Sequence, residues 1–249
     1  MKALLAAELL KLRTRATVLL VLATLGLAVL TVATSVPGLL EENPGISLQD
    51  PDLLAIMVGG GFGAPLVLMT LLGVLAFTQE FRYGTVTATY LGEPRRARIF
   101  IAKGLSLLIA SAGITVVTLV VTLPLSIVLI RAQEGELGVT AQLWQTIASG
   151  FVVMAAYAVI GVGIGALVTN QIAAIVGVLV YMTAIEQMVI PLYPEVGRWM
   201  LFAAASAFMQ FGGFGVELLS VTVGGLVLLA YTAATVSVAV VVAPRRDVL

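Results

Sequence analysis

The feature that most limits what this chain can fold into is the length of its uncharged runs. Residues 16–40 and 53–79 carry no charge, a third such run ends at Ile130, and residues 137–185 are uncharged for 49 positions in a row. A helix crosses the hydrocarbon core of a bilayer in about twenty residues. Three of these runs therefore hold one crossing each. The fourth is too long for one and fits two, joined by a tight turn at Thr169-Asn170-Gln171, and a further run before Pro244-Arg245-Arg246 supplies a last crossing. Apolar residues make up 60% of the chain and charged ones only 10%, against roughly a quarter charged in soluble domains. The expected fold is all-α: six transmembrane helices in one membrane domain over 1–249. The spans fall near 16–38, 54–78, 99–130, 143–168, 172–190 and 218–242.

Zero net charge hides an asymmetry. Eleven of the thirteen basic residues fall on one side of this topology: Lys2, Lys11, Arg13, Arg15, Arg82, Arg95, Arg96, Arg98, Lys103, Arg245 and Arg246. Only Arg131 and Arg198 fall on the other. The bias of basic residues toward the cytoplasm places both termini inside. Residues 2–15 favour a helix, with Glu8, Lys11 and Arg15 on one ridge and Leu5, Leu9 and Leu12 on the next. This reads as a helix along the inner membrane surface that feeds the first span. The alternative is a plain positive flank that fixes orientation. Charge continuing to Arg15, followed by so long an apolar run, does not match a cleavable signal peptide.

Several chemistries are excluded by residue type. With no histidine and no cysteine, the chain lacks the commonest metal ligands and general base. Asp50, Asp52 and Asp247 all lie outside the spans, so no aspartyl dyad forms inside the membrane. No G-x-x-x-x-G-K-[ST] loop is present to bind ATP. The chain is read as no enzyme, with no cofactor or metal of its own and no nucleic-acid partner. Glu186, about a turn from the end of the fifth span, is either functional or a carboxylate paired at the outer interface with Arg198. The cluster Gly59-Gly60-Gly61-Phe62-Gly63 opens the second span and allows close helix contact or a break at a cavity. Residues 191–216 are too short for a crossing and read as a re-entrant or interfacial outer segment.

The most distinctive stretch is 80–103, a polar handle between the second and third spans that holds five of the thirteen basic residues. Gly84 permits a sharp turn, Thr85 to Leu91 can form two helical turns, and Gly92 can stop them. Pro94 suits the first turn of the next helix. Glu80, at the end of the second span, can pair with Arg82 or cap the short helix. A loop serving only topology would explain the arginines but not this Gly and Pro punctuation. Glu80-Phe81-Arg82-Tyr83-Gly84-Thr85, then Pro94-Arg95-Arg96, then Lys103, resembles the E-x-x-x-G-T … P-x-[SR]-R … K pattern of ABC type-2 exporter permeases.

That resemblance implies a membrane subunit whose handle docks as a coupling helix on a separate ATPase, with the N-terminal helix (Glu8, Lys11, Arg15) as its connecting element. Two ATPase copies would carry ATP and Mg, and a second permease, identical or homologous, would complete the complex in a bacterial cytoplasmic membrane. The second and fifth spans would line the path, making Gly59, Gly61, Gly63, Met182, Glu186 and Met188 its candidate residues. An apolar lining suits hydrophobic or amphiphilic cargo: a drug, antibiotic, antimicrobial peptide or lipid. Two rivals stay open. One is export of a cell-envelope lipid or polysaccharide, the other a sensor or scaffold that transports nothing.

Overall fold

A computed structural model describes residues 2–42, 47–84, 96–168, 170–211 and 217–242, all helix, turn or irregular, with no strand among them. The helices are α1 (Lys2–Lys11), α2 (Arg15–Glu42), α3 (Leu53–Gly60), α4 (Gly63–Arg82), α5 (Arg96–Ala132) and α6 (Ala141–Leu167). They continue as α7 (Gln171–Val180), a π turn (Tyr181–Ile185), α8 (Glu186–Leu192), α9 (Pro194–Gly197), α10 (Leu201–Phe208) and α11 (Val221–Val242). Among the described residues, six stretches are long and apolar enough to cross a membrane: Thr17–Thr34, Leu53–Arg82, Ile101–Ala132, Ala141–Leu167, Gln171–Leu192 and Val221–Val238, here spans 1 to 6.

Helices are what such sequences must form, because lipid offers backbone groups no partner. Several buried hydroxyls follow the same rule. Thr70, Thr78, Thr122 and Ser126 each donate to the carbonyl four residues back, at 2.8–3.0 Å, so a polar side chain sits in an apolar span without an unmet donor.

Span 2 forms the centre, with 72% of its apolar window buried, against 17%, 22% and 11% for spans 1, 5 and 6. The latter three therefore keep most of their surface for lipid or another subunit. Span 2 packs most extensively against span 4, and two glycines set the distance. A Cβ on Gly73 would lie 2.2 Å from the Ala158 carbonyl oxygen, and one on Gly161 would lie 2.1 Å from that of Thr70. Only hydrogen fits there, so the two helices cross backbone to backbone.

Local details differ from the sequence reading in two places. The surface helix closes at Lys11, and Arg15 opens α2 instead of ending α1. Helix α2 runs on through Pro37 to Glu42; proline keeps a helical φ and costs a bond, which does not by itself stop a helix. The glycine cluster both breaks and packs: α3 ends at Gly60, α4 begins at Gly63, and Gly59 abuts Phe211 while Gly61 abuts Thr122 and Val32. Before span 6 the chain forms two short helices, α9 and α10, the second largely buried. Asn170 starts span 5 as a cap, its Oδ1 accepting from the N–H groups of Ile172 (3.0 Å) and Ala173 (3.1 Å).

Candidate functional site

Both ends of the 80–103 segment meet the N-terminal helix in one cluster of charges. Glu8 and Lys11 are three apart on α1 and so share a face. Glu80 lies in the last turn of α4, and Lys103 lies in the second turn of α5. The Lys103 ammonium donates to Glu8 Oε2 (2.8 Å), Glu80 Oε1 (3.1 Å) and the Ala76 carbonyl (2.6 Å). An ammonium has three N–H donors, and here all three are used. Lys11 closes the ring, donating to Glu8 Oε1 and, at 2.7 Å, to Glu80 Oε1. Among the described residues, two carboxylates and two ammonium groups thus join α1, α4 and α5.

Glu8 and Lys103 are almost fully buried, at 3% and 2% exposure. Breaking a buried ion pair costs more than an exposed one contributes. Burial alone would push the Glu8 carboxyl up. The Lys103 ion pair and hydrogen bond, with Lys11 adding to them, outweigh burial and hold it below the ordinary carboxylate range. Burial likewise pulls Lys11 down, but its hydrogen bonds to Glu8 and Glu80 carry it above the ordinary lysine range.

The pH window follows from these signs. A depressed carboxyl contributes stability above its unfolded value and loses it as pH falls through the folded one. A raised lysine contributes fully below its unfolded value and loses it as pH rises through the folded one. The contributions of Glu8 and Lys11 are therefore both present between about pH 5 and pH 10. Thermal unfolding in detergent should show the wild type losing stability as the pH falls below about 5. Glu8→Gln should lose less over the same interval, and an equal loss in both proteins would mean that Glu8 contributes nothing.

The rest of the handle is partly described. Phe81 stacks on Phe77 with ring centroids 5.4 Å apart. Arg82 donates to Gln171 Oε1 at 3.3 Å and lies 5.7 Å from the centre of the exposed Tyr83 ring. Gly84 takes φ +65, a left-handed conformation open to glycine at little cost. Thr85, Pro94 and Arg95 lie outside the described residues, and Arg96 is the first residue of α5. The expected Glu80–Arg82 pair gives way to Lys11 and Lys103, while Arg82 reaches the start of span 5. A cavity of about 330 Å³ adjoins the cluster, lined by Glu8, Lys11, Leu12, Ala76, Gln79, Glu80, Tyr83 and Ser106.

A second feature lies between spans 1, 2 and 5. A groove of about 570 Å³ is lined by Leu20, Thr24, Leu27 and Thr31 of span 1 and by Gly60, Gly63, Val67 and Leu71 of span 2. Leu179, Met182, Thr183 and Gln187 of span 5 complete it with Phe202 and Phe211. Of the proposed path residues, Gly63 and Met182 reach the groove. Gly59 packs against Phe211 and Gly61 against Thr122 and Val32, and Met188, 63% exposed, is not among the lining residues. Glu186 is fully buried. Its expected partner, Arg198, instead bonds Glu195 one turn back, while Glu186 Oε1 accepts the Phe202 backbone N–H at 3.2 Å. The i,i+3 spacing makes Glu195 the nearer carboxylate for Arg198.

Sequence reasoning does not reach the role of Lys103 beyond the motif. A signal is there: a charge four residues inside the third apolar run demands a partner, though nothing local says which. A family model described as ABC-2 family transporter protein matches residues 4–185, taking in both the charge cluster and most of the groove. The curated proteins include no match to this chain.

Proposed function

The chain belongs to the ABC-2 transporter family and is a permease of an ABC transporter, and from that premise we propose that it exports hydrophobic or amphiphilic cargo. The energy comes from ATP, bound with Mg on two copies of a separate ATPase docked at the 80–103 handle. Both termini and the handle face the cytoplasm of a bacterium. The observation that carries this reading is the four-charge cluster. It ties the surface helix to the two helices that enter and leave the handle, so a push on the handle reaches spans 1, 2 and 3 together. Export of an envelope lipid is the second reading, favoured by the same groove, whose lining is apolar apart from a few hydroxyls and one amide.

The groove opens between spans 1 and 5, which bury little of their own surface. A second permease, identical or homologous, would cover it and complete the path. Met182, Gly63 and Phe202 are then the residues that meet cargo. A methionine suits varied apolar shapes because its side chain is flexible and polarizable.

Purification in mild detergent tests the docking. A Walker-motif ATPase should accompany the wild type. Gly84→Pro forces φ to about −65° where the chain needs a positive value. Arg82→Glu reverses the charge beside Tyr83. Each should reduce recovery of the ATPase about tenfold, the effect of about 1.4 kcal/mol at an interface. Absence of an ATPase from the wild-type preparation would favour the scaffold reading.

A further inference from the structure

Span 5 holds a buried carboxyl that the coupling scheme does not use, and the family match stops one residue before it. Glu186 follows the π turn Tyr181–Ile185, a helix irregularity that recurs at functional sites. The buried face of span 5 runs Ala174, Val178, Met182, Glu186 and Ile190, in steps of four. On an ideal helix each such step overshoots a turn by about 40°. The wider π turn takes up part of that excess and keeps Glu186 on the inward face.

The groups around Glu186 are few. Tyr157 approaches from span 4, Tyr181 from the π turn and Tyr231 from span 6, all within electrostatic reach. The Tyr181 hydroxyl is also in hydrogen-bonding reach of the carboxyl, and from α10 come the Phe202 N–H and, beside it, that of Leu201. Arg198, between α9 and α10, is turned to Glu195, and among the described residues no cation lies within ion-pair distance of Glu186. Two buried polar atoms here have no hydrogen-bond partner: Glu186 Oε2 and the Tyr157 hydroxyl oxygen. The start of α10 attracts negative charge, but only modestly. Stripping water from an ionised carboxylate with no cation beside it costs more. The neutral acid is the form that fits.

We propose that Glu186 is a proton-binding site gated by α10. It holds a proton while Leu201–Phe208 covers it, and releases the proton when α10 moves and water reaches the carboxyl. Because the covered state binds a proton that the open state has lost, raising the pH favours opening. Phe202 also lines the groove, so opening α10 widens the same space the cargo would use.

Trp199 reports on this movement. It precedes α10, and its carbonyl accepts a hydrogen bond from Tyr231 of span 6 at 3.4 Å. With Trp144→Phe leaving Trp199 as the sole tryptophan, fluorescence of the chain in lipid nanodiscs should change with pH in a one-proton transition. Glu186→Gln keeps an acceptor for the Phe202 N–H and cannot ionise, so its signal should stay at the low-pH level throughout. A flat wild-type trace, or the same transition in Glu186→Gln, overturns the proposal. Should the variant not fold, infrared spectra of wild type with isotope-labelled glutamate decide. A protonated carboxylic acid band at the low-pH side that fades through the fluorescence transition supports the site, and its absence overturns it. The experiment needs neither ATP nor cargo, so its failure leaves the transport reading untouched.

Discussion

Lys103→Met should destabilise the chain by about 3–5 kcal/mol, the cost of leaving buried charges without their partner. The substitution keeps the length and apolar stem of the side chain but removes all three donors at once. Glu8 Oε2 and the Ala76 carbonyl would lose the ammonium donor, and Glu80 would keep Lys11 but lose the buried cation. The defect should also shrink in mild acid. Without Lys103, protonating Glu8 relieves a buried negative charge, whereas in the wild type it breaks an ion pair. Urea or thermal unfolding in detergent at about pH 7 and about pH 5 measures both effects. Stability within about 0.5 kcal/mol of wild type, the range of an ordinary surface change, would show that the cluster holds nothing together. Coupling should fail alongside stability: complexes that still assemble should hydrolyse ATP without moving cargo, because α1 and the handle would no longer shift as one.

Gly161→Val should also be strongly damaging, for a steric reason. Its Cβ would meet the Thr70 carbonyl oxygen at 2.1 Å, and that oxygen belongs to a helix backbone, which cannot rotate aside. The two helices must part, and theirs is the most extensive packing among the described helices. Overpacking a core costs about 1–3 kcal/mol when side chains can adjust; here they cannot, and the cost should reach or pass the upper end. Gly113→Ala is the control. Nothing lies within 4 Å of a Cβ at that site, and alanine is about 1 kcal/mol better than glycine inside a helix. A melting temperature that falls for Gly161→Val and holds or rises for Gly113→Ala is the expected pair. Equal behaviour would show that the span 2–span 4 crossing is looser than its geometry.

Local sequence suffices for the helical class and the six apolar stretches. These follow from local sums. Twenty apolar residues must span wherever they lie, and a glycine such as Gly84, at positive φ, announces its turn. Which residues meet is a matter of how the helices pack. Glu8 and Lys103 are 95 positions apart and Lys11 and Glu80 are 69 apart, distances over which no periodicity carries information. The sequence suggests Arg198 as the partner of Glu186, yet the π turn faces Glu186 inward and Glu195 takes the arginine. Met188, a candidate for the path, is not among the lining residues, while Phe202 and the span 1 residues line a groove that no motif marks. One cause underlies all of these. A helix apolar all round has no face written into its sequence, so its rotation, and every pairing that depends on rotation, is set by the neighbours against which it packs.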